Sequence, residues 1–400
     1  MPEAGFPEGA GAPSGHMERD DSMASRRLRM GLIGGGPGSF IGPIHRLAAE
    51  MDREIELVAG AFSSSAEKSR AAGEDYRIDP ARAYPDIATM IAQEAAREDG
   101  IDFVAITTPN HMHLPAAKAA LKAGLAVICD KPATTTLSEA HELAAIVEKA
   151  GKPFALTYTY SGYPLVREAR ARIAAGALGP IRKVVVEYPQ GWLAKPDTGK
   201  QAEWRGDPSR SGIGGCVADI GVHAFHLAEF VTGLRVTQLL ADLGTVVPGR
   251  LVDDDCQILL RFDNGARGAL LASQISVGER NSLTIRVYGE KAGLRWRQDD
   301  PNHLWLFHDT GRSELIQAGD PDLGEDARRA TRTPGGHPEG YLEAFANLYR
   351  DFARMLRGQD GALVPGMEDG LRGMALIETA VRASAKGAGW TDFTVQGEQA

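Results

Sequence analysis

The chain reads as a two-domain α/β protein. Its first half predicts a parallel sheet flanked by helices, and its second an α+β unit with a large, mostly antiparallel open sheet. Three observations predict this. Apolar segments alternate with helical patterns between residues 29 and 151, as parallel strands joined by crossover helices do. Strand-like segments then follow one another with short turns between residues 236 and 308, which indicates antiparallel pairing. A glycine cluster lies between the first strand and the first helix, at residues 34–42.

Residues 29–34 (RMGLIG) form a short apolar strand ending in glycines, and helical spacing follows over 44–51. Residues 54–62 (EIELVAGAF) are a second strand and 66–74 a polar helix. Another helix spans 85–97, with proline in the first turn, where its missing N–H is harmless. Residues 102–107 (DFVAIT) are a buried-type strand, and Pro115 opens an alanine-rich helix that closes at Gly124. The next strand is 125–129, and Thr136 with Glu139 makes a capping box for a helix running to Gly151.

A strand over 153–160 and a helix over 165–175 open the second half. Residues 181–188 (IRKVVVEY) alternate and are β-branched, so they form a strand. A helix carrying Asp219 and His223 ends at Gly233. Strands follow at 236–247, 257–262, 268–277, 283–288, 294–297 and 304–308, with Asn264-Gly265 as a hairpin turn. Residues 318–337 read as a surface loop, and helices return at 338–355 and 367–386. The expected division is a disordered tail at 1–26, a first domain at 27–153 and a second at 154–390.

Four hundred residues suffice for two cores, and 43% hydrophobic with 24% charged residues is ordinary for a soluble globular protein. A net charge of −9 argues against non-specific nucleic-acid binding. The three cysteines, Cys129, Cys216 and Cys256, are no disulfide framework and read as buried small hydrophobes, which fits the cytoplasm. No segment has the roughly 20 uninterrupted apolar residues of a membrane helix. The glycine- and proline-rich residues 1–26 lack the apolar core of a signal peptide.

The glycine cluster reads Gly34-Gly35-Gly36-Pro37-Gly38-Ser39-Phe40-Ile41-Gly42. Glycines there let a pyrophosphate approach the backbone, and the following helix offers free N–H groups and a positive dipole end. This predicts a Rossmann dinucleotide-binding domain, with Gly34, Gly36, Ser39, Phe40 and Ile41 at the cofactor. The strict G-x-G-x-x-G is broken at Ser39, and Gly42 takes the third place if three residues are inserted. The second strand ends in Phe62-Ser63-Ser64-Ser65 with no acid for a ribose 2′-hydroxyl, and Lys68 and Arg70 follow. Ser63 is the expected ribose neighbour, and NAD and NADP both fit. Thr108, Pro109, Asn110 and His113 follow the 102–107 strand and should border the cofactor, although His113 could serve only as a cap.

Asp130-Lys131-Pro132 follows the 125–129 strand and places an ammonium where α/β enzymes hold ligands. Asp219 and His223 are four apart, so on a helix they share a face. A histidine beside a carboxylate is a tunable proton acceptor. Lys131, Asp219 and His223 together supply what is needed to take a proton from an alcohol while a hydride leaves. Tyr158, Trp192, Arg205 and His337 have side chains suited to a polyol. Asp219, His223 and His226 also form a metal-ligating set, but hydride transfer needs no metal and none is expected. Asp253-Asp254-Asp255 reads as a solvated strand start.

The glycine turn, the Lys131-Pro132 pair, the Asp219-x-x-x-His223 helix and the open sheet, in this order, resemble the glucose-fructose oxidoreductase / inositol dehydrogenase / rhizopine-catabolism (Gfo/Idh/MocA) family over roughly residues 28–390. Gly34 to Arg46 and Gly336 to Tyr341 resemble a bacterial subgroup acting on sugars, anhydrosugars or inositols. The resemblance implies an NAD(P)-dependent dehydrogenase, with NAD somewhat favoured. It implies that Lys131 contacts nicotinamide and the reacting hydroxyl, that Asp219 and His223 bind substrate hydroxyls, and that His223 removes the proton. The family's Glu-Lys-Pro is here Asp130-Lys131-Pro132, placing Asp130 and Lys131 at the cofactor as well. The open sheet face predicts a homodimer or homotetramer. A non-catalytic NAD(P)-sensing regulator of the same fold is the alternative, and an imine or enone reductase a third.

Overall fold

Five parallel strands build the first sheet of the computed structural model, which describes residues 26–195, 199 and 206–396. They are β1 (Leu28–Gly34), β2 (Ile55–Ala61), β3 (Phe103–Thr107), β4 (Ala126–Cys129) and β5 (Phe154–Leu156), in the order β2-β1-β3-β4-β5. A single bridge from Gly60 to Ala83 extends the β2 edge. Strand order reverses between β1 and β3, and in open α/β sheets the crevice beyond the carboxyl ends at such a point receives the ligand. Gly34 pairs with Thr107 there, which sets the glycine turn beside the Thr108 loop.

The strand expected over 153–160 is shorter. Phe154–Leu156 pairs with β4, and the chain then turns through a 3₁₀ segment, Thr159–Gly162. The first sheet therefore runs past the division expected at residue 153. The helix Tyr341–Leu356 also crosses back to the first sheet. Its Phe345, Tyr349 and Phe352 share one core with Leu28, Met30, Leu32 and Phe103. Helical spacing puts these apolar side chains on one face, and burying them ties the late helix to the early strands. His45, on the helix Ile41–Glu50, packs at this seam with Nδ1 2.6 Å from the Tyr349 hydroxyl. Burial there lowers its pKa to about 4.

The second sheet has nine strands. They are β6 (Ile181–Pro189), β7 (Val236–Gly244), β8 (Asp255–Phe262), β9 (Arg267–Ser273), β10 (Thr284–Gly289), β11 (Ala292–Arg297), β12 (Asp300–His308), β13 (Ser313–Gln317) and β14 (Thr391–Asp392). Their order is β13-β12-β11-β10-β6-β9-β8-β7-β14, antiparallel except for the β6–β9 pair. β13 and β14 add to the strands expected, and the loop expected over 318–337 contains a short helix, Glu325–Ala330. Gly265 has φ 84°, which suits glycine in the turn between β8 and β9. The helices Pro164–Ala174, Val222–Thr232 and Met367–Ala385 pack against this sheet. All three cysteines are buried and free. No helix among the described residues is long and apolar enough to cross a membrane.

Candidate active site

A cleft of about 1590 Å³ opens at the carboxyl ends of β1, β3 and β4 and reaches the second sheet. Pockets for drug-sized ligands hold about 300–1,000 Å³, so there is room for a dinucleotide and a second molecule. Its first end is the glycine turn. A Cβ on Gly36 would lie 2.6 Å from the Phe62 carbonyl, and Gly34 and Gly38 have positive φ. A Cβ on Gly42 would lie 2.3 Å from the Gly35 Cα, so Gly42 lets the helix cross the turn at close range despite the longer loop. The Ser39 hydroxyl accepts from the Gly42 N–H at 3.2 Å.

Ser39, Phe40, Ile41, Ser63, Ser64 and Lys68 line this end of the cleft, and Thr108, Pro109 and Asn110 line the next wall. Asn110 is anchored by donating to the Ser211 carbonyl at 2.9 Å. The Thr108 hydroxyl and His111 Nδ1 are buried in this wall without a partner. A glycine cradle with orphaned polar atoms beside it fits a dinucleotide. His113 does not line the cleft. Its ring is buried behind it, with Nδ1 2.8 Å from the Pro132 carbonyl and Nε2 2.9 Å from that of Thr108. It braces the two loops that form the wall.

Lys131, Asp219 and His223 meet in the middle of the cleft. Asp130 Oδ1 accepts from the Lys131 N–H at 2.9 Å and the Thr157 hydroxyl at 2.8 Å, which shapes the turn after β4. Lys131 Nζ donates to the Asp219 carbonyl at 2.5 Å and to Asp219 Oδ1 at 3.2 Å. Gln274 donates to Asp219 Oδ2 at 2.9 Å. The helix expected around Asp219 begins instead as a π turn, Val217–Gly221, before Val222–Thr232 continues as α. Such turns recur at functional sites. His223 is buried edge-on against Tyr160, at 4.9 Å between ring centres. Burial above all, helped by the Lys131 charge, holds its pKa well below 6.5, so the imidazole is neutral.

The substrate contacts expected from sequence divide. Trp192 lines the cleft and its Nε1 donates to Gln190 Oε1 at 2.9 Å. Tyr158 does not; it packs behind His223, and Tyr160 takes the place in the wall. His337 is exposed outside the cleft, on its own turn by the Pro334 carbonyl. Arg205 lies outside the described residues. Sequence reasoning missed a network at the second-sheet end. Tyr160 is hydrogen-bonded to Tyr188, and Asn281 Oδ1 accepts from Tyr188 at 2.6 Å and Gln190 at 2.7 Å. Asn281 Nδ2 donates back to Tyr160 at 3.1 Å. Inward alternation at the end of the 181–188 strand was the available signal for Tyr188.

The aspartate run is not solvated as expected: Asp253 and Asp254 are buried. Asp253 accepts from the N–H groups of Gly215 at 2.6 Å and Val217 at 2.7 Å, clamping the start of the segment that carries Asp219. Burial pushes its pKa up to about 6 even so. Asp254 binds the N–H groups of Val246 and Val247 and the Arg250 guanidinium. Asp253→Ala strands two buried donors and is expected to cost on the order of 2–5 kcal/mol in urea unfolding. A loss below about 0.5 kcal/mol, the usual scatter for surface changes, would refute the clamp.

A glycine-turn Rossmann domain joined to an open-sheet domain, with a lysine, an aspartate and a histidine between them, defines a nicotinamide-dependent oxidoreductase. Residues 28–158 match the oxidoreductase family with an NAD-binding Rossmann fold, and 166–295 match the GFO/IDH/MocA C-terminal domain. The chain belongs to the GFO/IDH/MocA oxidoreductases, an NAD-binding family. It is 33% identical to the uncharacterized oxidoreductase YfiI of Bacillus subtilis, over 94% of this chain and 100% of that one. It is 27% identical to the levoglucosan dehydrogenase of Pseudarthrobacter phenanthrenivorans, over 92% and 98% of the two chains. An inositol dehydrogenase homolog from Azotobacter vinelandii, solved with NAD+, superposes with a TM-score of 0.90 at 34% identity, covering 92% of this chain and 98% of that one. The same homolog with NADH and myo-inositol gives a TM-score of 0.87 at 33% identity, over 92% and 98% of the two chains.

Proposed function

We propose that this protein oxidises a secondary hydroxyl of a sugar, anhydrosugar or cyclitol, with NAD as its partner. One observation carries the reading: a lysine ammonium and a neutral histidine meet at an aspartate in the cleft that also holds the glycine cradle. Bound nicotinamide would supply the hydride acceptor. Gly34, Gly36, Ser39 and the Thr108 wall would hold the dinucleotide. Lys131 holds its charge where an alkoxide develops. Asp219, fixed by Lys131 and Gln274, orients a neighbouring hydroxyl. His223 accepts the hydroxyl proton, which its neutral state allows. Tyr160, Tyr188, Gln190, Trp192 and Asn281 offer hydroxyl, amide and ring surfaces to a polyol.

The reading includes a cytoplasmic setting and self-association as a homodimer or homotetramer. Leu259, Leu271, Tyr288, Phe307 and Leu315, exposed on the second sheet, support the latter. The test is reduced-nicotinamide absorbance with NAD or NADP, separately, against pyranoses, anhydrosugars, glycosides and inositols. We expect turnover with NAD and a few related polyols. Cofactor binding with silence across the panel would replace this reading with that of a sensor.

A further inference from the structure

Tyr160, Tyr188, Gln190 and Asn281 line the second-sheet end of the cleft, and their hydrogen bonds have a fixed sense. The Tyr188 hydroxyl donates to Asn281 Oδ1 at 2.6 Å, so the bond between the two phenols is donated by Tyr160. The Tyr160 oxygen accepts in turn from Asn281 Nδ2 at 3.1 Å. Asn281 Oδ1 also accepts from Gln190 Nε2 at 2.7 Å, and Gln190 Oε1 accepts from Trp192 Nε1 at 2.9 Å. Both phenol protons and both lone pairs of Asn281 Oδ1 are therefore taken. A side-chain amide carries two N–H bonds, so Asn281 and Gln190 each keep one to offer.

The charges point the same way. Among the described residues, three carboxylates line the cleft, and protein groups engage each of them. Asp86 accepts from the N–H and hydroxyl of Thr89, Asp130 from the Lys131 N–H and the Thr157 hydroxyl, and Asp219 from Lys131 and Gln274. The cations are Lys68, Lys131, Arg210 and Arg280. Lys131 is paired with Asp219. Lys68 lines the Ser63–Ser64 end, and Arg210 stands on the short helix Pro208–Ser211, which packs on the Asn110–Met112 turn, so both belong to the dinucleotide's side. Arg280 adjoins Asn281 at the other end. It is exposed and takes part in no hydrogen bond or ion pair among the described residues.

We infer that the substrate carries a carboxylate, held at this end by the Arg280 guanidinium and the remaining N–H groups of Asn281 and Gln190. The inference rests on the dehydrogenase reading above and narrows its substrate class to polyhydroxy acids, such as uronates and cyclitol carboxylates. A ring hydroxyl both donates and accepts, and here the best acceptor, Asn281 Oδ1, is already filled. An ionised carboxylate only accepts, with about four lone-pair sites for the donors on offer. Its two oxygens match the fork of a guanidinium, and the charge on each side shortens and strengthens the bonds. Asp219 is no obstacle, because Lys131 offsets its charge. The hydroxyl to be oxidised stays at Lys131 and His223, and the carboxylate fixes which hydroxyl of the ring that is.

Initial rates of NAD reduction by the full chain, measured on matched pairs, test this. The pairs are D-glucuronate with D-glucose, D-galacturonate with D-galactose, and quinate with myo-inositol. In the best pair the acid should exceed its neutral partner about 10- to 100-fold in kcat/KM, the range that hydrogen bonds to a charged group supply. R280Q should erase that difference, chiefly by raising KM for the acid, while R280K, which keeps the charge without the fork, should retain part of it. The preference should also shrink between about 0.05 and 0.5 M salt, because an exposed cation is screened. A merely structural role for Arg280 would give neither the acid selectivity nor the salt dependence. Turnover confined to the neutral members, or no poorer with them, overturns the carboxylate and leaves the dehydrogenase standing. So does an acid preference that R280Q keeps. Silence with all six compounds and the wider panel, with NAD still bound, overturns the dehydrogenase reading and this inference with it.

Discussion

Lys131→Met should lower kcat about 10²–10³-fold, the range seen when one donor to a developing oxyanion is removed. The protein should still fold, with its thermal midpoint lowered by the loss of a largely buried ion pair. Methionine keeps the length and apolar stem of lysine but cannot hold charge or donate. Lys131 is mostly buried, with its side chain 12% exposed, so losing its ion pair with Asp219 also costs stability, and Gln274, which still donates to Asp219 Oδ2 at 2.9 Å, limits that cost. The measurement is steady-state nicotinamide reduction with the best polyol of the panel, beside a melting curve. A K131M protein within about threefold of wild-type kcat would remove lysine from the chemistry, since such a change is under 1 kcal/mol of barrier. KM should move less than kcat, because the charge is needed most when the alkoxide forms.

His223→Asn should be comparably severe, lowering kcat about 10²–10⁴-fold by removing the proton acceptor. Its pH behaviour gives an independent check. Burial and the Lys131 charge depress the imidazole pKa well below 6.5. The base form therefore exists at neutral pH and is lost only as pH falls through that depressed value. The acidic limb of kcat/KM should lie below 6.5, and H223N should lack it. Stability follows the same sign: the contribution from keeping this ring neutral is complete above 6.5 and disappears as pH falls through the folded-state value. An acidic limb above 6.5, or one retained in H223N, would assign the titration to another group.

Much of this site was legible because its signals are local. The glycines after β1, the lysine after β4 and the four-residue spacing of Asp219 and His223 each follow from a strand end or a helix period. Less legible were groups placed by the chain's later course. Tyr158 and Tyr160 are two apart, so a continued strand would turn both to one side. The strand stops at Leu156, and the following 3₁₀ turn puts Tyr160 in the cleft and Tyr158 behind His223. Asp253 is an ordinary loop acid in sequence, and only the approach of the Gly215 backbone makes it a clamp.

Sequence alone determined the alternation of elements, the dinucleotide loop and the identities of Lys131, Asp219 and His223, because periodicity, glycine conformation and strand termini act over a few residues. Tertiary structure decided which tyrosine lines the cleft, what holds the Asp219 segment, and that the helix Tyr341–Leu356 completes the first domain's core. Those outcomes depend on which distant surfaces bury each other and which buried polar groups thereby find or lose partners, and no local pattern carries that information.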